Sequence, residues 1–139
     1  MYKFYNANAK GNFVNDCVVR AISAAEGTSW DETYEKLSDL AQDEGILLDD
    51  VNFVEDYLDD RYRRIPHIAK TVGEVIEEFP IGIYLVTMDG HITVIIDGTL
   101  YDTFDCRDRT IRCVWNVPKR RKLWFVIWFS TGNRFNFKR

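Results

Sequence analysis

The chain has 139 residues, 46% hydrophobic and 29% charged, with 18 Lys and Arg against 22 Asp and Glu. That length fits one domain with its own core over residues 1–139, and its 8 Gly and 3 Pro exclude fibrous and low-complexity classes. No window approaches the roughly 20 apolar residues of a spanning helix, and Met1-Tyr2-Lys3-Phe4-Tyr5-Asn6 lacks a signal peptide's apolar run, so a reducing cytoplasm is expected.

The net charge of −4 hides an asymmetry. Residues 1–106 carry 8 basic and 21 acidic side chains, and residues 107–139 carry 10 basic and 1 acidic. Acidic helices lying against a basic strand region account for this within one fold. Trp115, Trp124, Phe125, Trp128 and Phe129 sit near Lys119 to Lys122, a mixture that can stack on single-stranded nucleic acid. A strand pair with a charged turn explains it as well, and the acidic composition argues against nucleic acid as the main partner.

In chain order, Asn6 to Asn12 reads as a turn-rich loop. Asn15 or Asp16 can cap a helix from about Cys17 to Ala25, with Val18, Ile22 and Ala25 on its apolar face and Gly27 as its stop. Ser29 with Glu32 forms a capping box for a second helix, whose stripe is Trp30, Tyr34, Leu37 and Ala41. A third helix starts near Asp50 and buries Val51, Val54 and Leu58. A fourth runs from Val72 to Phe79, capped by Thr71 and ended by Pro80.

The second half changes period. Ile81 to Thr87 is a near-continuous apolar run, as in a buried strand, and Asp89-Gly90 turns the chain into His91 to Ile96. Asp97-Gly98 is a hairpin signal returning through Thr99 to Asp102. Arg109 to Trp115 and Leu123 to Phe129 supply two more strands. Helices first and an antiparallel sheet afterwards predict the α+β class.

Chemistry concentrates on Cys17. At the first turn of a helix, unpaired N–H groups and the helix dipole favour the thiolate, and the Cys17 N–H can serve an oxyanion. Such a nucleophile needs a base. His91 opens a strand and so stands at a sheet end, whereas His67 lies in a surface connector. With a two-residue turn at Asp97-Gly98, alternation puts His91, Thr93 and Asp102 on one face, Asp102 diagonal to His91. Asp102 can then orient the imidazole, and Asp105 takes that role if the register slips. Arg20, one turn beyond Cys17, is expected as a solvated helix position, with holding a thiolate or an acidic substrate as its functional reading. Three cysteines make an odd count and do not form a disulfide framework. The absence of C-x-x-C and the spacing of His67 and His91 argue against a bound metal.

Asn15-Asp16-Cys17-Val18-Val19-Arg20-Ala21-Ile22 resembles the nucleophile helix of small, largely phage- and bacteria-associated papain-like proteins. The stretch from Gly90-His91-Ile92-Thr93 to Tyr101-Asp102-Thr103 is similar to their histidine hairpin. The resemblance implies a papain-like fold and a cysteine hydrolase cleaving peptide or isopeptide bonds, with Cys17, His91 and Asp102 as triad and no cofactor. The best-known members place a Gln several residues before the Cys. The one Gln here, Gln42, is downstream, which leaves Asn12 or Asn15 as side-chain oxyanion donors. The same departure supports a second reading, a catalytically silent binding module of this shape acting on a host or viral protein.

Overall fold

The computed structural model describes residues 1–119, and the strand expected over Leu123–Phe129 lies outside them. Four helices and a six-stranded mixed sheet make up the described part. The helices are α1 (Cys17–Glu26), α2 (Trp30–Glu44), α3 (Val51–Arg61) and α4 (Val72–Glu78). The strands are β1 (Tyr2–Phe4), β2 (Arg63–Arg64), β3 (Ile83–Met88), β4 (His91–Ile96), β5 (Thr99–Asp102) and β6 (Ile111–Val117), in sheet order β1-β5-β4-β3-β6-β2.

Local chemistry explains most boundaries. Ser29 accepts from the Glu32 N–H while Glu32 reaches back to the Ser29 N–H, so α2 begins in a full capping box. Asp50 caps α3 and Thr71 caps α4 through their side-chain oxygens. Asp97 and Gly98 both take positive φ, 48° and 78°, the geometry of a tight turn whose twist matches the strands it joins. That turn sets Ile96 opposite Thr99 and Ile95 opposite Leu100. Gly90, at φ 72°, lets the chain reverse between Met88 and His91.

The sheet is not wholly antiparallel, as the sequence had suggested. Tyr2, Lys3 and Phe4 run parallel to Leu100, Tyr101 and Asp102. A parallel neighbour is possible here because the intervening chain is long enough to return the same way. Arg63-Arg64, in the stretch leading to His67, pairs with Asn116 and Trp115 on the opposite edge. The central strand starts at Ile83 rather than Ile81, whose side chain is exposed.

Alternation gives β3 two buried faces. Ile83 and Leu85, with Ile92, Val94, Trp115 and Val117, meet Val18, Val19 and Ile22 of α1, Leu37 of α2, and Phe53 and Leu58 of α3. Tyr84, Val86 and Met88 turn the other way, towards Ile95, Leu100, Val114 and Cys106, and towards Val72 and Val75 of α4. Ile22 and Trp115 have no exposed surface, and truncating such a core residue to Ala costs about 2–5 kcal/mol. Val51, expected inside, is half exposed, because α3 buries Phe53, Val54, Tyr57 and Leu58 instead. Among the described residues no helix is long and apolar enough to cross a membrane.

Candidate active site

His91 is the first residue of β4 and Asp102 the last of β5, so hairpin register brings them to the same end of the sheet. The His91 Nε2 and Asp102 Oδ2 lie 2.7 Å apart. Both are withdrawn from solvent, with side-chain exposures of 8% and 2%. The ring of Phe104 covers the imidazole, its centroid 4.8 Å away. With Nε2 engaged by the carboxylate, Nδ1 is the nitrogen left for another partner.

Cys17 is the first residue of α1 and lines a cavity of about 260 Å³ together with His91, Ile92, Gly90, Thr87 and Asn15. The Asp16 side chain does not cap α1. The first-turn N–H groups are therefore left for another acceptor, at the positive end of the helix dipole.

Electrostatics follow from this packing. Burial alone would raise the Cys17 pKa, but a hydrogen bond and charge from His91, the Ile92 N–H and the charge of Arg20 outweigh it, and the thiol is held below its ordinary value. Burial would likewise lower His91. Hydrogen bonds to Asp102, Cys106 and Cys17 and the charge of Asp102 overcome that and push it up to about 11. Asp102 is shifted below the usual carboxylate range despite its burial, by the hydrogen bond and charge of His91 and by the Thr103 N–H. Each shift favours the charged form of its group, the direction that a thiolate–imidazolium–carboxylate arrangement requires.

Arg20 is not solvated, contrary to the sequence reading. Its Nε donates to Asp16 Oδ1 at 2.7 Å, and its Nη1 donates to Asp102 Oδ1 at 3.1 Å and Thr103 Oγ1 at 3.3 Å. Asp16 in turn accepts from Trp30 Nε1 at 2.9 Å and Asn8 Nδ2 at 3.3 Å. The i,i+4 spacing of Asp16 and Arg20 was visible in the sequence, but such pairs are common on exposed helix faces. Asp102 lies far along the chain, and that contact is what draws Arg20 inward.

The other sequence candidates fall as follows. Asn15 is exposed on the rim of the Cys17 cavity. Asn12 is exposed in the loop before α1, where its carbonyl accepts from Asn6, and it does not line that cavity. Asp105 forms a surface pair with Arg107 at 2.8 Å, and the register does not slip to bring it to His91. His67 contacts the Ala69 carbonyl in the connector before α4. The three cysteines are free. Cys106, which the sequence did not single out for the site, is fully buried with its Sγ 3.8 Å from Asp102 Oδ2.

Among the described residues, His91, Asp102 and Cys106 offer ligand atoms within 4.8 Å of one another. Imidazole, carboxylate and thiolate are zinc-type donors. Here, however, Nε2 and Oδ2 are committed to each other, and the second carboxylate oxygen accepts from Arg20. In this structure the three groups form a hydrogen-bonded dyad with a thiol beside it. No protein-family model, curated protein or solved structure matches the chain.

Proposed function

We propose that the chain is a thiol-dependent hydrolase of the papain-like type, acting on peptide or isopeptide bonds. One observation carries this reading: a helix-start thiol shares a cavity with an imidazole whose far nitrogen is held by a buried carboxylate at 2.7 Å. The order of parts supports it too, with Cys on α1, His opening β4 and Asp closing β5.

The Cys17 thiolate attacks the carbonyl carbon, and the carbonyl π electrons move to oxygen. The N–H groups at the start of α1, with the Asn15 amide, stabilise that oxyanion. The intermediate collapses, the C–N bond breaks, and the His91 imidazolium gives its proton to the leaving amine, leaving a thioester on Cys17. Water then attacks the thioester while His91 takes its proton. Collapse releases the acid and regenerates the thiolate–imidazolium pair. Asp102 keeps the ring oriented and stabilises its charged form, and Arg20 holds Asp102.

Trapping of the acyl intermediate tests the reading. Incubation with a peptidyl p-nitrophenyl ester should add the acyl mass to Cys17 and release nitrophenol in a burst. Cys17→Ser and His91→Ala should each abolish the burst. Acylation elsewhere, or a burst indifferent to His91, would overturn the assignment.

A further inference from the structure

A second cavity adjoins the one that holds Cys17. It is a cleft of about 700 Å³ between the chain entering α1 and the exposed side of α2, lined by Val14, Val19, Trp30, Tyr34, Ile46 and Leu47 among others. Asn15 and Asp49 line both spaces, so the two share a rim. The wall is held in place: the Trp30 indole donates to buried Asp16, and its ring stacks on Tyr34 with centroids 5.1 Å apart and planes 5° from parallel. Yet the apolar lining stands open, with Leu47 76% exposed, Val14 54% and Tyr34 48%. Clustered apolar surface around a preformed concavity of this size is the usual form of a ligand site.

We propose that this cleft is a substrate subsite, taking a bulky apolar side chain of a polypeptide while a neighbouring carbonyl lies against Cys17. The assignment rests on the hydrolase reading above. Adjacency selects the occupant: the cleft and the Cys17 cavity have Asn15 and Asp49 in common, which suits a chain with an apolar group a short distance from a carbonyl. Asp49, exposed on the shared rim and in none of the ion pairs of the described residues, disfavours an acidic residue beside the apolar one.

Peptidyl chloromethyl ketones test this, carrying Leu, Ala or Asp at each of the two positions nearest the reactive group. The rate of Cys17 alkylation, read by intact mass and peptide mapping, is divided by the same protein's rate with iodoacetamide. In the wild type, Leu should exceed Ala by about tenfold or more at one position, and Asp should be slowest. Leu47→Asp and Tyr34→Ala, both at exposed positions, should each cut the Leu advantage to less than about threefold, since each removes apolar lining. Equal normalised rates for Leu and Ala at both positions, or an advantage that both variants keep, would overturn the subsite alone. An iodoacetamide rate indifferent to His91→Ala would overturn the hydrolase reading and the subsite with it.

Discussion

Arg20 Nη1 donates to Asp102 Oδ1 at 3.1 Å, joining residues 82 positions apart. The contact fastens α1, which begins at Cys17, to the end of β5, where Asp102 also meets His91. In their ionised forms the groups along the path Asp16, Arg20, Asp102, His91 and Cys17 alternate in sign, so each favours the charged form of the next. Arg20 and its two carboxylate partners are largely buried, with side-chain exposures of 12%, 7% and 2%. Such a network costs little only when it is complete.

Arg20→Ala leaves two carboxylates in that space without their cation. Breaking a buried pair typically costs about 3–5 kcal/mol, and a loss of that size is expected in urea unfolding. Arg20→Lys, which keeps the charge but not the forked donor, should fall between. A loss below about 1 kcal/mol for Arg20→Ala would mean that the network does not hold the two elements together.

Stability should also depend on pH through His91. Its folded pKa of about 11 lies above the ordinary histidine value, so its contribution is fully present below about pH 6.5 and is lost as pH rises towards 11. Asp102 works in the opposite sense. Held below its ordinary value, it contributes above about pH 4, and that contribution is lost on acidification. Cys17, held below its ordinary value, gains stability as pH rises to about 8.5 and offsets His91 up to that point, so the urea midpoint of the wild type should fall more steeply than that of His91→Gln above about pH 9. Parallel slopes for the two proteins would contradict the raised pKa.

Asp102→Asn tests the orientation of the ring. The amide keeps the shape but loses the charge that sustains the imidazolium and, through it, the thiolate. An ordinary thiol near pKa 8.5 is about 3% ionised at pH 7, so alkylation of Cys17 should slow by roughly thirtyfold if it starts fully ionised. Circular dichroism should first establish that the variant is folded at the assay temperature. An unchanged rate in the folded variant would remove Asp102 from the site.

Cys106 should be protected. It has no exposed surface and packs among Val72, Val75, Leu100 and Val114. Under native conditions limited iodoacetamide should label Cys17 first and leave Cys106 unmodified, whereas all three cysteines should react in urea. Labelling of Cys106 at a rate near that of Cys17 would contradict the packing around Asp102.

The parts of this fold that could be read in the sequence are those governed by short-range chemistry. The capping box at Ser29 and Glu32, the cap at Thr71 and the Asp97-Gly98 turn each depend on residues a few positions apart. That turn also fixes the facing of His91 and Asp102, so the pair is legible from the sequence. Long-range pairings were hidden. Tyr2–Phe4 is too short to show a period, and its partner strand begins at Thr99. Arg20 reads as an ordinary surface cation because nothing within a turn of it says that Asp102 will arrive. Asn12 and Asn15 were equivalent on paper. The entry to α1 places Asn15 on the cavity rim and leaves Asn12 outside it.

The central claim is that His91 activates Cys17, and the pH profile of Cys17 alkylation by iodoacetamide tests it most directly, wild type against His91→Ala, with the modified residue identified by peptide mapping. The account predicts that wild-type Cys17 reacts well below the ordinary thiol pKa of about 8.5, and that removing His91 returns the profile to that value or above it. A wild-type profile that titrates as a free thiol, or one that His91→Ala leaves in place, would contradict it.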